Sequence, residues 1–140
     1  MKKTALITGI SGQDGVYLAE FLIKKNYKVI GTDRRSARSN DWRLKRLGIQ
    51  DKVISEEMEI GETFEIDRIF KKYKIDEIYN LAAQSFVGTS FKSPLNTSNI
   101  TGLGVLRILE AIRNYNKKIK FYQASSSEMF GNSFAKRQNE

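Results

Sequence analysis

The chain has no cysteine and no histidine, and only one proline and one tryptophan, among its 140 residues. Without cysteine there is no disulfide framework and no thiolate metal site. Without histidine the commonest transition-metal ligand is missing too. Any general acid or base must then be a carboxylate, a tyrosine, a lysine or a hydroxyl. No uninterrupted apolar run is long enough to cross a bilayer. Met1-Lys2-Lys3 leads straight into an apolar run with no signal-peptide pattern. A cytoplasmic protein with no membrane partner is expected, and the lack of cysteine fits that compartment.

What is present reads as globular: hydrophobic residues make up 40% and charged residues 29%, with length enough for one domain with a core. The net charge of +8 falls in separate clusters: Arg34, Arg35, Arg38; Arg43, Lys45, Arg46; Lys71, Lys72, Lys74; and Lys117, Lys118, Lys120. The last two read as helix ends, where lysine complements the helix dipole. The first two follow a predicted strand, so an anionic small ligand explains them better than a nucleic acid, which is not expected as a partner.

The chain is organised around Thr8-Gly9-Ile10-Ser11-Gly12-Gln13-Asp14-Gly15. Before it, Ala5-Leu6-Ile7 reads as a buried strand. After it, residues 16–25 read as a helix with Leu18, Phe21, Leu22 and Lys25 on one face. Strand, glycine-rich turn and helix together present backbone N–H groups and a positive helix end to a phosphate. Gly9 permits the tight turn, Gly12 the approach of a pyrophosphate, and Gly15 close packing of helix on strand. A second strand, residues 28–32, ends in Asp33-Arg34-Arg35, about twenty residues on, where a ribose is read. This pattern predicts a dinucleotide site.

Strand and helix continue to alternate. A polar loop at residues 36–40 precedes a short helical stretch, residues 41–48, and a third strand at residues 52–58. Residues 63–73 form a helix with Ile66, Ile69, Phe70 and Tyr73 on one face. A fourth strand runs over residues 76–83. Ser93-Pro94 reads as an N-cap followed by proline in the first turn. The helix it opens carries Gly102, Val105, Leu106, Leu109 and Ile112 along one face. A fifth strand, residues 119–124, ends in Ser125-Ser126-Ser127-Glu128. The expectation is an α/β, doubly wound parallel-sheet (Rossmann) fold whose ligand lies beyond the carboxyl ends of the strands. Four segments meet on that rim: the glycine turn, residues 33–35, residues 81–85 and residues 125–128.

Three of these segments resemble a known family. The glycine fingerprint is similar to that of extended short-chain dehydrogenase/reductase proteins. More narrowly, residues 5–20, Tyr79-Asn80-Leu81-Ala82-Ala83-Gln84-Ser85-Phe86-Val87, and Phe121-Tyr122-Gln123-Ala124-Ser125-Ser126-Ser127-Glu128-Met129-Phe130-Gly131 resemble GDP-mannose 4,6-dehydratases. The resemblance runs from Ala5 nearly to Glu140. It implies conversion of GDP-mannose to GDP-4-keto-6-deoxymannose with tightly held NADP and no metal, in a homo-oligomer. It assigns cofactor binding to Gly9, Ser11, Gly12, Gln13, Asp14, Gly15, Arg34, Arg35, Glu59, Ile60, Leu81, Ala82, Ala83 and Ser85. Arg35 is the residue it places on the 2′-phosphate. It assigns catalysis to Glu128, as base at sugar C5, and to Ser126, whose hydroxyl would bond the C4 oxygen.

The sequence also departs from that family. Ser126 stands where threonine is usual, Glu59-Ile60 where Asp-Leu or Asp-Met is common, and Phe86 where some members have histidine. The family's Tyr-x-x-x-Lys pair is absent: four residues after each of the six tyrosines stand Phe21, Gly31, Glu77, Ala83, Ile119 and Ser126. Residues 1–140 therefore read as the N-terminal part of a single dinucleotide-binding domain, cut after the fifth strand and without a substrate domain. On its own such a piece is expected to be inactive. Two other readings stay open: a sister nucleotide-sugar epimerase or 4-keto-reductase, and a non-catalytic NADP-binding module.

Overall fold

The structure, a computed structural model, describes residues 2–37 and 40–131, with the side chains of Ser127 and Glu128 outside the described residues. Five strands are built where the apolar runs predict them: β1 (Thr4–Thr8), β2 (Lys28–Asp33), β3 (Val53–Glu57), β4 (Glu77–Asn80) and β5 (Lys120–Gln123). All pair in parallel, in the order β3-β2-β1-β4-β5. Winding starts at β1 and proceeds to one edge, then returns past β1 to the other. The switch point therefore lies between β1 and β4, where a crevice opens at the strands' carboxyl ends.

Alternation along β1 divides the core in two. Ala5 and Ile7 face a layer made by α1 (Gln13–Lys24) and α2 (Trp42–Arg46), packing with Val16, Ala19, Leu22 and Leu44. Leu6 points the other way, toward α3 (Thr63–Lys72) and α6 (Gly104–Tyr115), among Ile66, Ile69, Phe70, Ile108 and Ile112. Helices on both faces of a parallel sheet complete the doubly wound arrangement.

Several local expectations shift. Helix α1 begins at Gln13, three residues earlier than the periodicity predicts, because Gly12 already has the extended backbone of an N-cap. Its buried stripe is Gly15, Val16, Ala19 and Leu22, while Phe21 is exposed with the Lys25 ammonium over its ring. Small residues, not the largest apolar ones, let the helix approach the sheet. The same holds on α6: Gly104, Ile108, Ala111 and Ile112 are buried, whereas Gly102, Leu106 and Leu109 are exposed. A π-helical segment, Ser98–Leu103, precedes α6 and turns its face away from the expected one.

Helix α4 (Val87–Lys92) forms where no helix is predicted, and α5 (Pro94–Thr97) follows it. Ser93 joins the two: its N–H donates to Thr89 O at 2.8 Å and its carbonyl accepts Thr97 N at 3.1 Å. Its side chain makes no cap bond. Helix α3, with Ile66, Ile69 and Phe70 buried, matches its predicted face.

Candidate nucleotide cleft

The glycine turn is fixed from both sides of the sheet. Gly9 N and Ile10 N donate to Thr32 O at 2.8 and 3.2 Å, and Gly12 N donates back to Gly9 O at 3.1 Å. Gly9 has φ +69°, and a Cβ there would lie 3.1 Å from Ala82 N. A Cβ on Gly15 would lie 2.6 Å from Gly9 O and 2.8 Å from Ile10 O, so helix and turn can meet this closely only at glycine. The peptide of Ser11 is held at both ends. Its N–H donates to Asp33 Oδ2 at 3.0 Å, and its carbonyl accepts Arg43 Nη1 at 2.9 Å. Half-buried Asp33 has its carboxyl pushed up by burial, an effect the Ser11 hydrogen bonds only partly offset.

Across the switch point, the Thr8 hydroxyl donates to Asn80 Oδ1 at 2.6 Å and accepts the N–H groups of Leu81 and Ala82 at 3.1 and 3.0 Å. Asn80 Nδ2 in turn donates to Gln123 Oε1 at 2.7 Å. This buried chain ties β1, β4 and β5 together just beneath the rim and sets the direction in which Leu81-Ala82-Ala83 leave the sheet.

Between these two constructions lies a cleft of about 350 Å³. Of the residues assigned to cofactor binding, Gly9, Ser11, Gly12, Arg34, Glu59, Ile60, Leu81, Ala82, Ala83 and Ser85 line it. Gln13, Asp14 and Gly15 are not among its lining residues; they form the first turn of α1, where a helix leaves backbone N–H groups without intrahelical partners. Arg35 is exposed and is not among the lining residues. Ser126 is exposed beyond β5, also outside the cleft lining, with its carbonyl accepting Met129 N at 3.2 Å. Ser125 before it has φ 54°. The backbone of Glu128 lies in a short 3-10 turn, Ser127–Phe130, while its side chain is outside the described residues.

Thr32, Met58, Asn96 and Ile100, which sequence reasoning missed, also line the cleft, as do Asp33 and Gln84 from the expected rim segments. Asn96 and Ile100 come from α5 and the π-helical segment, and Thr101 Oγ1 accepts Gln84 N at 3.1 Å. A π-helical segment so close to a cleft was the available signal, but its presence cannot be seen in spacing alone.

The donor set fits a dinucleotide: a bare glycine turn and helix N-terminus for a pyrophosphate, a guanidinium at the end of β2, and apolar walls for a ring. Among the described residues, no group of three or more His, Cys, Asp or Glu side chains could hold a metal ion. No helix among them is long and apolar enough to cross a membrane.

Comparison with known proteins agrees with this geometry. The family model described as GDP-mannose 4,6 dehydratase matches residues 6–140. A GDP-mannose 4,6-dehydratase of Vibrio cholerae serotype O1 is 47% identical over 137 residues, 93% of this chain and 37% of that protein. GDP-mannose 4,6 dehydratase 1 of Arabidopsis thaliana is 43% identical over 140 residues, 93% of this chain and 39% of that protein. Among solved structures, a dTDP-glucose 4,6-dehydratase of Bacillus anthracis in complex with NAD superposes with a TM-score of 0.79 at 24% identity. That superposition covers 99% of this chain and 42% of the other, and carries the fold alone. A UDP-glucose 4-epimerase of Thermotoga maritima with UDP-glucose gives 0.71 at 28% identity, over 84% and 37% of the two chains. The chain thus spans well under half the length of these relatives.

Proposed function

The chain belongs to the GDP-mannose 4,6-dehydratase family, and from that membership we propose that it forms the NADP-binding part of an enzyme converting GDP-mannose to GDP-4-keto-6-deoxymannose and water. The observation that carries this is the convergence, on one cleft, of the glycine turn, Arg34, Glu59-Ile60 and the Leu81–Ser85 wall. NADP, when bound, would take hydride from sugar C4 and return it to C6.

The chain's own groups divide the remaining work. The first-turn N–H groups of α1 receive the pyrophosphate, and Glu59 and Ile60 border the adenine. Glu128 takes the C5 proton, which becomes acidic once C4 is a ketone, and hydroxide then leaves C6. The Ser126 hydroxyl bonds the C4 oxygen. The whole protein works as a homo-oligomer, and exposed Leu103, Leu106 and Leu109 beside and on α6 are apolar surface that an assembly would cover.

NADP is favoured over NAD by the charges at the end of β2. Arg34 lines the cleft and Arg35 follows it, and a guanidinium fork matches a 2′-phosphate in geometry and charge. Asp33 would oppose that phosphate, but its carboxylate is already bonded to the Ser11 N–H. A charged hydrogen bond contributes about 1.5–3 kcal/mol, or roughly one to two decades. Titrating both cofactors into the whole protein is expected to give NADP the tighter binding by at least about tenfold, with Arg34→Ala and Arg35→Ala each narrowing the gap. Equal affinities, or tighter NAD binding, would mean that Asp33 sets the choice, and a gap that neither substitution touches would overturn the role given to the arginines.

A further inference from the structure

Thr32 lies at the floor of the cleft, at the carboxyl end of β2, and is 1% exposed. Its carbonyl holds the glycine turn, but among the described residues nothing donates to its side-chain Oγ1 or accepts from it. It is the one buried side-chain polar atom among them in that condition. A buried hydroxyl without a partner weakens the fold, because its hydrogen bonds to water are lost and not replaced. Valine has nearly the same shape and would avoid that loss, so packing alone does not account for threonine here.

The position indicates what the hydroxyl meets. Strand alternation places Thr32 on the Ile30 face of β2, the face of the core that contains Met58 and Ile60. The cleft above it is walled by Met58, Ile60, Ala82 and Ile100, an apolar slot fit for a flat ring. Asp33, the next residue, stands where such folds read the adenosine ribose. We propose that the Thr32 hydroxyl is the buried polar contact of this cleft for the adenosine half of the dinucleotide. This rests on the dinucleotide reading above. The hydroxyl both donates and accepts, so it can pair with a purine ring nitrogen or a ribose hydroxyl. One χ1 step carries its oxygen to the place the methyl held without moving the strand.

The test uses the whole protein, calorimetric titration with NADP and with ADP-ribose, and thermal melts without ligand. Thr32→Val is expected to weaken NADP and ADP-ribose by the same factor, about five- to tenfold, or about 1.0–1.4 kcal/mol. The same substitution is expected to raise the ligand-free melting temperature by about 1–4 °C, since it removes an unpaired buried hydroxyl. Thr32→Ser, which keeps the hydroxyl, should bind both ligands within about twofold of the parent. Unchanged affinity in Thr32→Val, or a lower ligand-free melting temperature, overturns the assignment. Should Thr32→Val not fold, the parent protein decides through its labelled Thr32 methyl resonance. That resonance must shift with ADP-ribose and stay in place with nicotinamide mononucleotide, and any other response overturns the assignment. If the parent binds neither NADP, NAD nor ADP-ribose, the dinucleotide reading itself fails and takes this one with it.

Discussion

Glu56 shows how a single side chain holds the edge of the sheet. Burial at the end of β3 raises its pKa, but hydrogen bonds from Lys72 Nζ (2.6 Å), Tyr73 OH (2.5 Å) and Arg68 Nη1 (2.9 Å) outweigh burial and bring it down to about 2. A carboxyl whose folded pKa lies below its unfolded value stabilises the fold above the unfolded pKa. That contribution disappears as pH falls from about 4.5, the ordinary value, to about 2. Denaturant melts across this window should therefore lose stability with falling pH, and Glu56→Gln should flatten that slope while lowering stability near neutrality. An unchanged slope in Glu56→Gln would show that other carboxyls carry it. Glu77, at the opposite end of the sheet with Lys3, Tyr27 and Tyr79 donating to it, is also lowered and adds in the same sense. None of these partners could be read from the sequence, since Glu56 and Tyr73 become neighbours only once α3 folds back on β3. The unpaired Thr32 hydroxyl was hidden for the same reason: register decides which face a strand residue takes.

At the scale of elements, the junction of β1 and α1 is the least forgiving place in the chain. A Cβ at Gly15 meets backbone oxygens, which cannot move aside as a flexible side chain can. Gly15→Ala should cost about 1–3 kcal/mol of stability and weaken NADP binding, because strand, turn and helix must part to admit it. Gly104→Ala is a useful contrast: there the nearest atoms include the far end of the Ile60 side chain, at 3.0 Å, so a milder loss is expected. Comparing denaturant midpoints of the two variants checks this, and equal losses would contradict it. The glycines of this junction were legible, because their spacing encodes a backbone requirement directly, whereas the start of α1 at Gln13 was not. The helix faces were less so. Phe21, Leu106 and Leu109 fit a helical period but stay exposed, while Ala19, Gly104 and Ala111 form the contact. Periodicity finds apolar stripes; close packing against a sheet also selects for small size. Helix α4 went unseen because its six residues, Val87–Lys92, are too few to show a period.

For the molecule as a whole, the parallel order β3-β2-β1-β4-β5 brings the glycine turn and the β4 loop to one crevice, although more than sixty residues separate them in sequence. That alternation of strand and helix could be read from the sequence, and so could the rim segments it assembles. The catalytic proposal is carried by Ser126, exposed beyond β5 and outside the lining of the cleft, and by Glu128, whose side chain is outside the described residues. In the proposed dehydration the hydrogen at sugar C4 ends at C6. GDP-mannose deuterated at C4, turned over by the whole protein with unlabelled NADP, follows that hydrogen. The expected product is GDP-4-keto-6-deoxymannose with the deuterium on C6, one water lost and the cofactor unchanged in amount. A product epimerised at C4 with its C6 hydroxyl intact, a 6-deoxy product without deuterium at C6, or no turnover of GDP-mannose at all would contradict it.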